Sequence, residues 1–361
     1  MFWLIEEGRP EGEFNASCKA RNDIEEIALQ SGFEKITVPT KYGVQTNPLL
    51  KPRQWKIYAS NKKVWVDFLN TLNPGDVILV QYPLLNTTTA FDDVLKKARQ
   101  KGIKTIAIIH DLDSLRYEKP AQSARLVERV TREDHEYLKQ FDVVIAHNPV
   151  MQKTIKEWGI ENSVSLGIFD YLLDNLNEQE RTLEDRICIA GNLNSSKAGY
   201  LKELRNLPDQ FELYGIGWSE PEAENISYHG AFPPEELCSV LNASFGLVWD
   251  GTSLDGCDGA FGKYTTYNNP HKTSMYLASG LPVVIWKQAA LADFVRNNNV
   301  GICVDSLKDI NRRISEMTQE DYNEMHNNVL QLQTKLVNGQ FAKEALKNAL
   351  NRIDSERTNR S

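Results

Sequence analysis

The sequence predicts an α/β protein of two Rossmann-like domains facing each other across a cleft, with a C-terminal helix crossing back to the first domain. Short apolar runs rich in β-branched residues alternate with amphipathic stretches almost from end to end. That is the pattern of βαβ units and a parallel sheet. The alternation pauses once, over the polar stretch FDYLLDNLNEQERTLEDR at 169–186, and then restarts. A length of 361 residues also suits two cores better than one.

In chain order, FWLI (2–5) reads as a first buried strand, followed by a helical pattern over 17–31. DVILVQYP (76–83) precedes a helix over 89–102 that Gly102 ends. IKTIAIIHD (103–111), a polar helix over 121–139, DVVIAHN (142–148) and a helix over 149–158 follow. The second half supplies strands at ICIAGNL (187–193), FELYGIG (211–217), FGLVWDG (245–251), LPVVIW (281–286) and VGICVD (300–305). Residues 319–355 are helical, and FAKEALKNALNRI (341–353) is amphipathic enough to cover the first domain. The expected division is therefore 1–175 plus a C-terminal helix at about 338–361, against 176–337.

Composition excludes several classes. No apolar run approaches the roughly 18 residues of a membrane span, and Met1–Ile5 lacks the basic leader and length of a signal peptide. A cytoplasmic protein is expected. Five scattered cysteines, with no C-x-x-C pair, suit reduced thiols better than zinc or disulfides. A net charge of −8 disfavours nucleic acid as a partner. One stretch runs against that charge: residues 51–63 hold Lys51, Arg53, Lys56, Lys62 and Lys63 with Trp55 and Tyr58 interleaved. It is either a solvated face or a patch for anionic lipid or a phosphorylated acceptor, which would bring the protein to the inner face of a membrane. A homo-oligomer is compatible with the sequence, which does not specify one.

Two places carry chemistry. Gly191, Gly215, Gly217 and Gly251 sit where strands of the second half end, where backbone can approach a ligand. Beside them, NNPHKTSMYLASGLPVVIW (268–286) puts Pro270 in a first helical turn. Backbone donors around His271, Lys272 and Thr273, with the lysine's full charge, make an anion site suited to a diphosphate. In the first half His110, Asp111 and Asp113 follow an apolar strand, at the carboxyl edge of its sheet. They are candidate bases, though Asp113 also reads as a helix cap. The literal DLD further reads as a metal-binding D-x-D pair. The separate cationic phosphate site argues against that.

The order GNL…K, YGIG, YHGAFPPEEL, LVWDG, YNNPHK and YLASGLPVV resembles the donor domain of GT-B glycosyltransferases. With IIHDLDSLR (108–116) and FDVVIAHN (141–148), the chain is most similar to the bacterial group of β-1,6-galactofuranosyltransferases and serine-rich-repeat adhesin glucosyltransferases. The resemblance covers nearly the whole chain. It implies a UDP-sugar donor, with Lys272 on the diphosphate, Asn269, His271 and Thr273 around it, and Asn192 and Lys197 on the opposing loop. Phe232 lies where such enzymes hold the nucleobase, with Tyr214 close by. Asp250 would bond sugar hydroxyls or act as a turn residue. The loop EGEFNASCKARND resembles the group's acceptor side and makes Asn15, Ser17 and Lys19 acceptor or phosphate contacts.

Many retaining GT-B enzymes carry two glutamates eight apart; here those positions are Tyr267 and Met275. That departure favours inversion, with a base among Asp111, Asp113 and His110. No metal and no cofactor are expected. The acceptor is a glycan, lipid-linked or glycoprotein, and galactofuranose precedes glucose as the transferred hexose. A second expectation is a non-catalytic nucleotide-sugar-binding subunit supporting a partner glycosyltransferase. A dehydrogenase is disfavoured because no G-x-G-x-x-G follows the first strand.

Overall fold

A computed structural model describes residues 1–7, 16–40, 51–84, 91–116, 124–174, 176, 181–184, 186–195, 197–221 and 223–358. The first half runs β1 (Phe2–Glu7), α1 (Ala16–Gln30), β2 (Glu34–Val38), α2 (Lys51–Thr71), β3 (Val77–Tyr82), α3 (Phe91–Gln100), β4 (Lys104–Ile109) and α4 (Asp113–Arg116). It continues with α5 (Ala124–Leu138), β5 (Val143–Ala146), α6 (Pro149–Glu157) and β6 (Ser163–Ser165). These strands form one parallel sheet in the order β2-β1-β3-β4-β5-β6.

The second half runs β7 (Arg186–Asn192), a 3-10 segment at Gly199–Asn206, β8 (Gln210–Ile216), β9 (Ile226–Tyr228), α7 (Pro234–Val240), β10 (Phe245–Val248) and α8 (Gly259–Tyr264). Next come α9 (His271–Ala278), β11 (Val283–Trp286), α10 (Ala292–Asn297), β12 (Gly301–Val304), α11 (Ile310–Ser315), α12 (Gln319–Val337) and α13 (Gln340–Thr358). Its sheet is parallel in the order β12-β11-β10-β7-β8-β9. Chain order reverses between β10 and β7, and ligands of such sheets bind beyond the carboxyl ends at that point.

Alternation along each central strand explains the layers. Ile78 and Val80 of β3 pack with Trp65, Phe68 and Phe91 on one face. Val77 and Leu79 pack on the other with Ile24 and Ile27 of α1 and with Ala342, Ala345, Leu346, Ala349 and Ile353 of α13. The last helix therefore belongs to the core of the first domain. Asp170, in the crossover between domains, fixes where it starts: its carboxylate accepts from the Phe341 and Ala342 N–H groups at 3.2 and 2.7 Å. Burial pushes that carboxyl up to about 7 despite those bonds.

Candidate active site

The site is built at the reversal point of the second sheet. Lys272 owes its direction to Tyr276, one turn later on the same face of α9. The Tyr276 ring lies flat enough on Gly246 that a Cβ there would meet it at 2.2 Å. Its hydroxyl accepts the Ala190 N–H of β7 at 2.8 Å. With the helix so fixed, the Lys272 ammonium reaches the end of β10, donating to the Trp249 carbonyl at 3.0 Å and to Asp250 Oδ1 at 2.9 Å. Lys197 arrives from the other side. Its loop is tied to β10 by the Gly251 N–H, which donates to the Lys197 carbonyl at 3.1 Å. Asp250 holds the Lys197 proton on, but desolvation, Lys272 and Arg116 outweigh it and keep this ammonium below the ordinary lysine value. Lys272 thus pairs with Asp250, and Lys197 lies within that carboxylate's field.

Across the cleft, the segment after β4 brings His110, Asp111 and Asp113 together. His110 bonds Gln81 Oε1 at 2.6 Å and stacks on Phe169. Arg116 bridges the two aspartates, 3.3 Å from Asp111 Oδ2 and 2.5 Å from Asp113 Oδ1. Burial raises the Asp111 carboxyl above the ordinary value; Arg116, Arg21 and Tyr264 pull it down, and Asp113 adds to the rise. A carboxylate so placed is suited to proton transfer. Asp113 is no cap: Asp134 accepts the Ser114 N–H at 2.8 Å and caps α4 instead. The Leu112 N–H, next to Asp111, donates to the Tyr264 oxygen of α8 at 2.8 Å, and Gly262 of α8 packs on the Asp250 carbonyl, so one short helix joins the two clusters.

Several residues expected at the donor site are engaged elsewhere. Asn269 is buried between the domains, its N–H on His147 Nδ1 at 2.9 Å and its amide on the His147 carbonyl and Asn148. It locks the domains together and is not turned towards a donor. His271 lies against Tyr171, and burial holds its ring neutral, at about 4. Thr273 is fully buried, and its N–H turns back onto the Pro270 carbonyl. It is thus not one of the outward donors expected of that turn, although its Oγ1 and the Ser274 Oγ have no protein partner. Tyr214 is core: 2% exposed, stacked on His229, its oxygen accepting the Asn242 N–H. Phe232, half-buried at 6.2 Å from Tyr214, is the rim aromatic.

Asn192 is exposed at the end of β7, and its Oδ1 accepts the Asn194 N–H. Of the four strand-end glycines, Gly191 opens onto free space; a Cβ at Gly215 would meet the Gly191 carbonyl at 1.8 Å. Gly215 therefore serves strand pairing.

On the proposed acceptor side, Lys19 is taken by Asp23 and by the Leu172 carbonyl of the crossover, at 2.5 and 2.8 Å. Asn15 and the side chain of Ser17 lie outside the described residues. The basic stretch begins α2, where Lys62 and Lys63 pair with Asp93 and Asp67 while Trp55 stands 61% exposed. Among the described residues no helix is long and apolar enough to cross a membrane.

Arg116 and Tyr264 were not singled out from sequence. Arg116 had a signal, closing the DLDSLR run three residues after Asp113. Tyr264 had none, since its contact with Leu112 spans 152 positions.

Comparison with known proteins gives the family. Residues 4–167 match the N-terminal domain and residues 187–349 the C-terminal domain of glucosyltransferase 3-like proteins. The β-1,6-galactofuranosyltransferase WbbI of Escherichia coli (strain K12) is 31% identical over 346 residues, covering 93% of this chain and 94% of the relative. Glucosyltransferase 3 of Streptococcus gordonii is 26% identical over 340 residues, covering 92% and 93%. Among solved structures, sucrose-phosphate synthase from Thermosynechococcus elongatus superposes with a TM-score of 0.54 at 15% identity, covering 98% of this chain and 94% of that one. The α,α-trehalose-phosphate synthase (UDP-forming) from Burkholderia vietnamiensis gives 0.55 at 11%, covering 97% and 99%. Those two share the two-domain fold. By its full-length relatives, and by both halves of its sequence, the chain belongs to the glucosyltransferase 3-like family and is a glycosyltransferase of the GT-B fold.

Proposed function

We propose that the protein transfers a hexose from a UDP-sugar to a hydroxyl of a glycan, lipid-linked or glycoprotein acceptor, inverting the anomeric centre without a metal ion. The observation that carries this reading is the Lys272–Asp250 pair at the end of β10, joined through α8 to the segment that holds Asp111. The diphosphate replaces Asp250 as the partner of Lys272, with Lys197 and the first turn of α9 adding positive potential. Asp111 takes the proton of the acceptor hydroxyl as its oxygen bonds to the anomeric carbon. The bond from that carbon to UDP breaks, the electron pair leaves with UDP, and the lysines neutralise the charge.

Metal independence is supported by Arg116, a guanidinium already paired with both carboxylates of the D-L-D sequence. Galactofuranose is the first choice of sugar and glucose the second, following the named activities of the two relatives. Those activities give no support to a non-catalytic binding subunit. Five free cysteines favour the cytoplasm. Exposed Trp55 beside Arg53 and Lys56 favours contact with an anionic membrane surface that carries the acceptor.

The test is UDP release from UDP-galactofuranose and UDP-glucose, with a panel of glycan acceptors, in excess EDTA. Turnover with one donor, undiminished by the chelator, is expected. Turnover that EDTA abolishes and Mg²⁺ restores would make Asp111 and Asp113 metal ligands. UDP binding without turnover on any acceptor would favour the binding subunit.

A further inference from the structure

The helix α8, which ties the cation site to the first domain, also packs on α4, the turn that carries Asp113 and Arg116. Phe261 lies on this helix, one residue before the Gly262 that touches the Asp250 carbonyl. It is 43% exposed, and the Lys197 Nζ stands 5.7 Å from its ring centroid. Lys197 is at the carboxyl end of the second sheet, since the next residue, Ala198, bridges to Gly251 just after β10. An open phenyl ring therefore stands beside a cation of the donor site, on the helix that reaches the segment of the proposed base.

A single exposed aromatic ring is ordinary on a protein surface; this one is marked by its place. The reaction puts the transferred hexose at that place. Its anomeric carbon is bonded to the diphosphate that the lysines would hold, and is attacked by the oxygen whose proton Asp111 would take. The sugar therefore lies between the cations and the base. Charged groups can bond its hydroxyls, but they do not suit the C–H face of a hexose, which is apolar and slightly positive. The face of an aromatic ring is apolar and negative, and does suit it.

We propose that Phe261 is the platform on which the transferred hexose of the donor stacks, taking the sugar by its C–H face while Lys197, held near the same ring, meets the diphosphate. The inference deepens the functional reading above and rests on it, because the diphosphate must sit at Lys272 and Lys197. The contact requires a sugar ring and is indifferent to the uridine. It therefore separates a sugar nucleotide from UDP itself.

The test compares UDP with UDP-glucose and UDP-galactofuranose by calorimetry, in the parent, Phe261→Ala, Phe261→Leu and Phe261→Trp. For the donor that the parent binds, Phe261→Ala and Phe261→Leu are expected to weaken affinity about three- to tenfold, with UDP unchanged within about twofold. Phe261→Trp, which keeps an aromatic face, is expected to stay close to the parent. Equal losses for UDP and the sugar nucleotide would reduce Phe261 to a support for Lys197 and overturn the proposal. No loss in either would overturn it too, and a rise in acceptor KM alone would then give the ring to the acceptor. Both failures leave the diphosphate reading standing, because the parent still binds UDP. A parent that binds neither sugar nucleotide would overturn the functional reading, and the proposal with it.

Discussion

Lys272 is aimed by packing that lies beneath it. Because Tyr276 is pinned against Gly246 and the Ala190 N–H, the ammonium has one place to go, and Asp250 is there. Lys272→Ala would strand a carboxylate that is 9% exposed and so lower stability as well as UDP affinity. The cleaner variant combines Lys272→Met with Asp250→Asn, which removes both members of that ion pair. UDP affinity measured by calorimetry is expected to fall by about ten- to a hundredfold in the double variant, as for loss of a charge-assisted contact. Unchanged affinity would move the diphosphate elsewhere. Lys197, Asp250 and Asp111 were legible because each follows a strand end, where such sheets bind ligands, and Lys272 because it opens a helix beside Pro270. Tyr214, inside β8, and Asn269, just before α9, lie near the same rim in sequence and are buried. Position along the chain says that a residue is near the rim; it does not say which way the side chain turns.

Among the elements, the long buried strands β3 and β4 stand out in sequence because both faces are covered and nearly every residue is apolar. The edge strands do not. β2 is EKITV, mostly exposed, and β6 and β9 are three residues each, too short to show a period. The start of α13 depends on Asp170, whose role becomes visible only once the crossover is folded. Burial holds Asp170 at about 7 and the nearby Asp23 at about 6, both above the ordinary aspartate value. The folded chain therefore binds protons that the unfolded chain releases. The stabilisation is complete below roughly pH 4 and is lost as pH rises through 6 and 7. Asp170→Asn keeps an acceptor for the Ala342 N–H, since asparagine caps helices as well as aspartate does. The variant's melting temperature, relative to the parent, is expected to improve between pH 5 and pH 8 in calorimetry. A constant difference across that range would show that Asp170 ionises normally.

The whole molecule divides the chemistry between its domains. The cations that would hold UDP belong to the second sheet and the proposed base to the first. Asn269 with His147, and Tyr264 with Leu112, fasten one to the other. The two-domain plan was readable from the single pause in the strand pattern. The contacts across the cleft were not, since they join residues more than a hundred positions apart by shape and polarity that no local pattern encodes. The division of labour makes a specific demand: removing the base must leave donor binding intact. Asp111→Asn keeps the shape of the side chain and removes its basicity. The most direct measurement is turnover of that variant beside its UDP affinity. A fall in kcat of roughly 10²–10⁴ with unchanged UDP affinity is the expected result. Full turnover would contradict it and place the base elsewhere, with His110 the next residue to test.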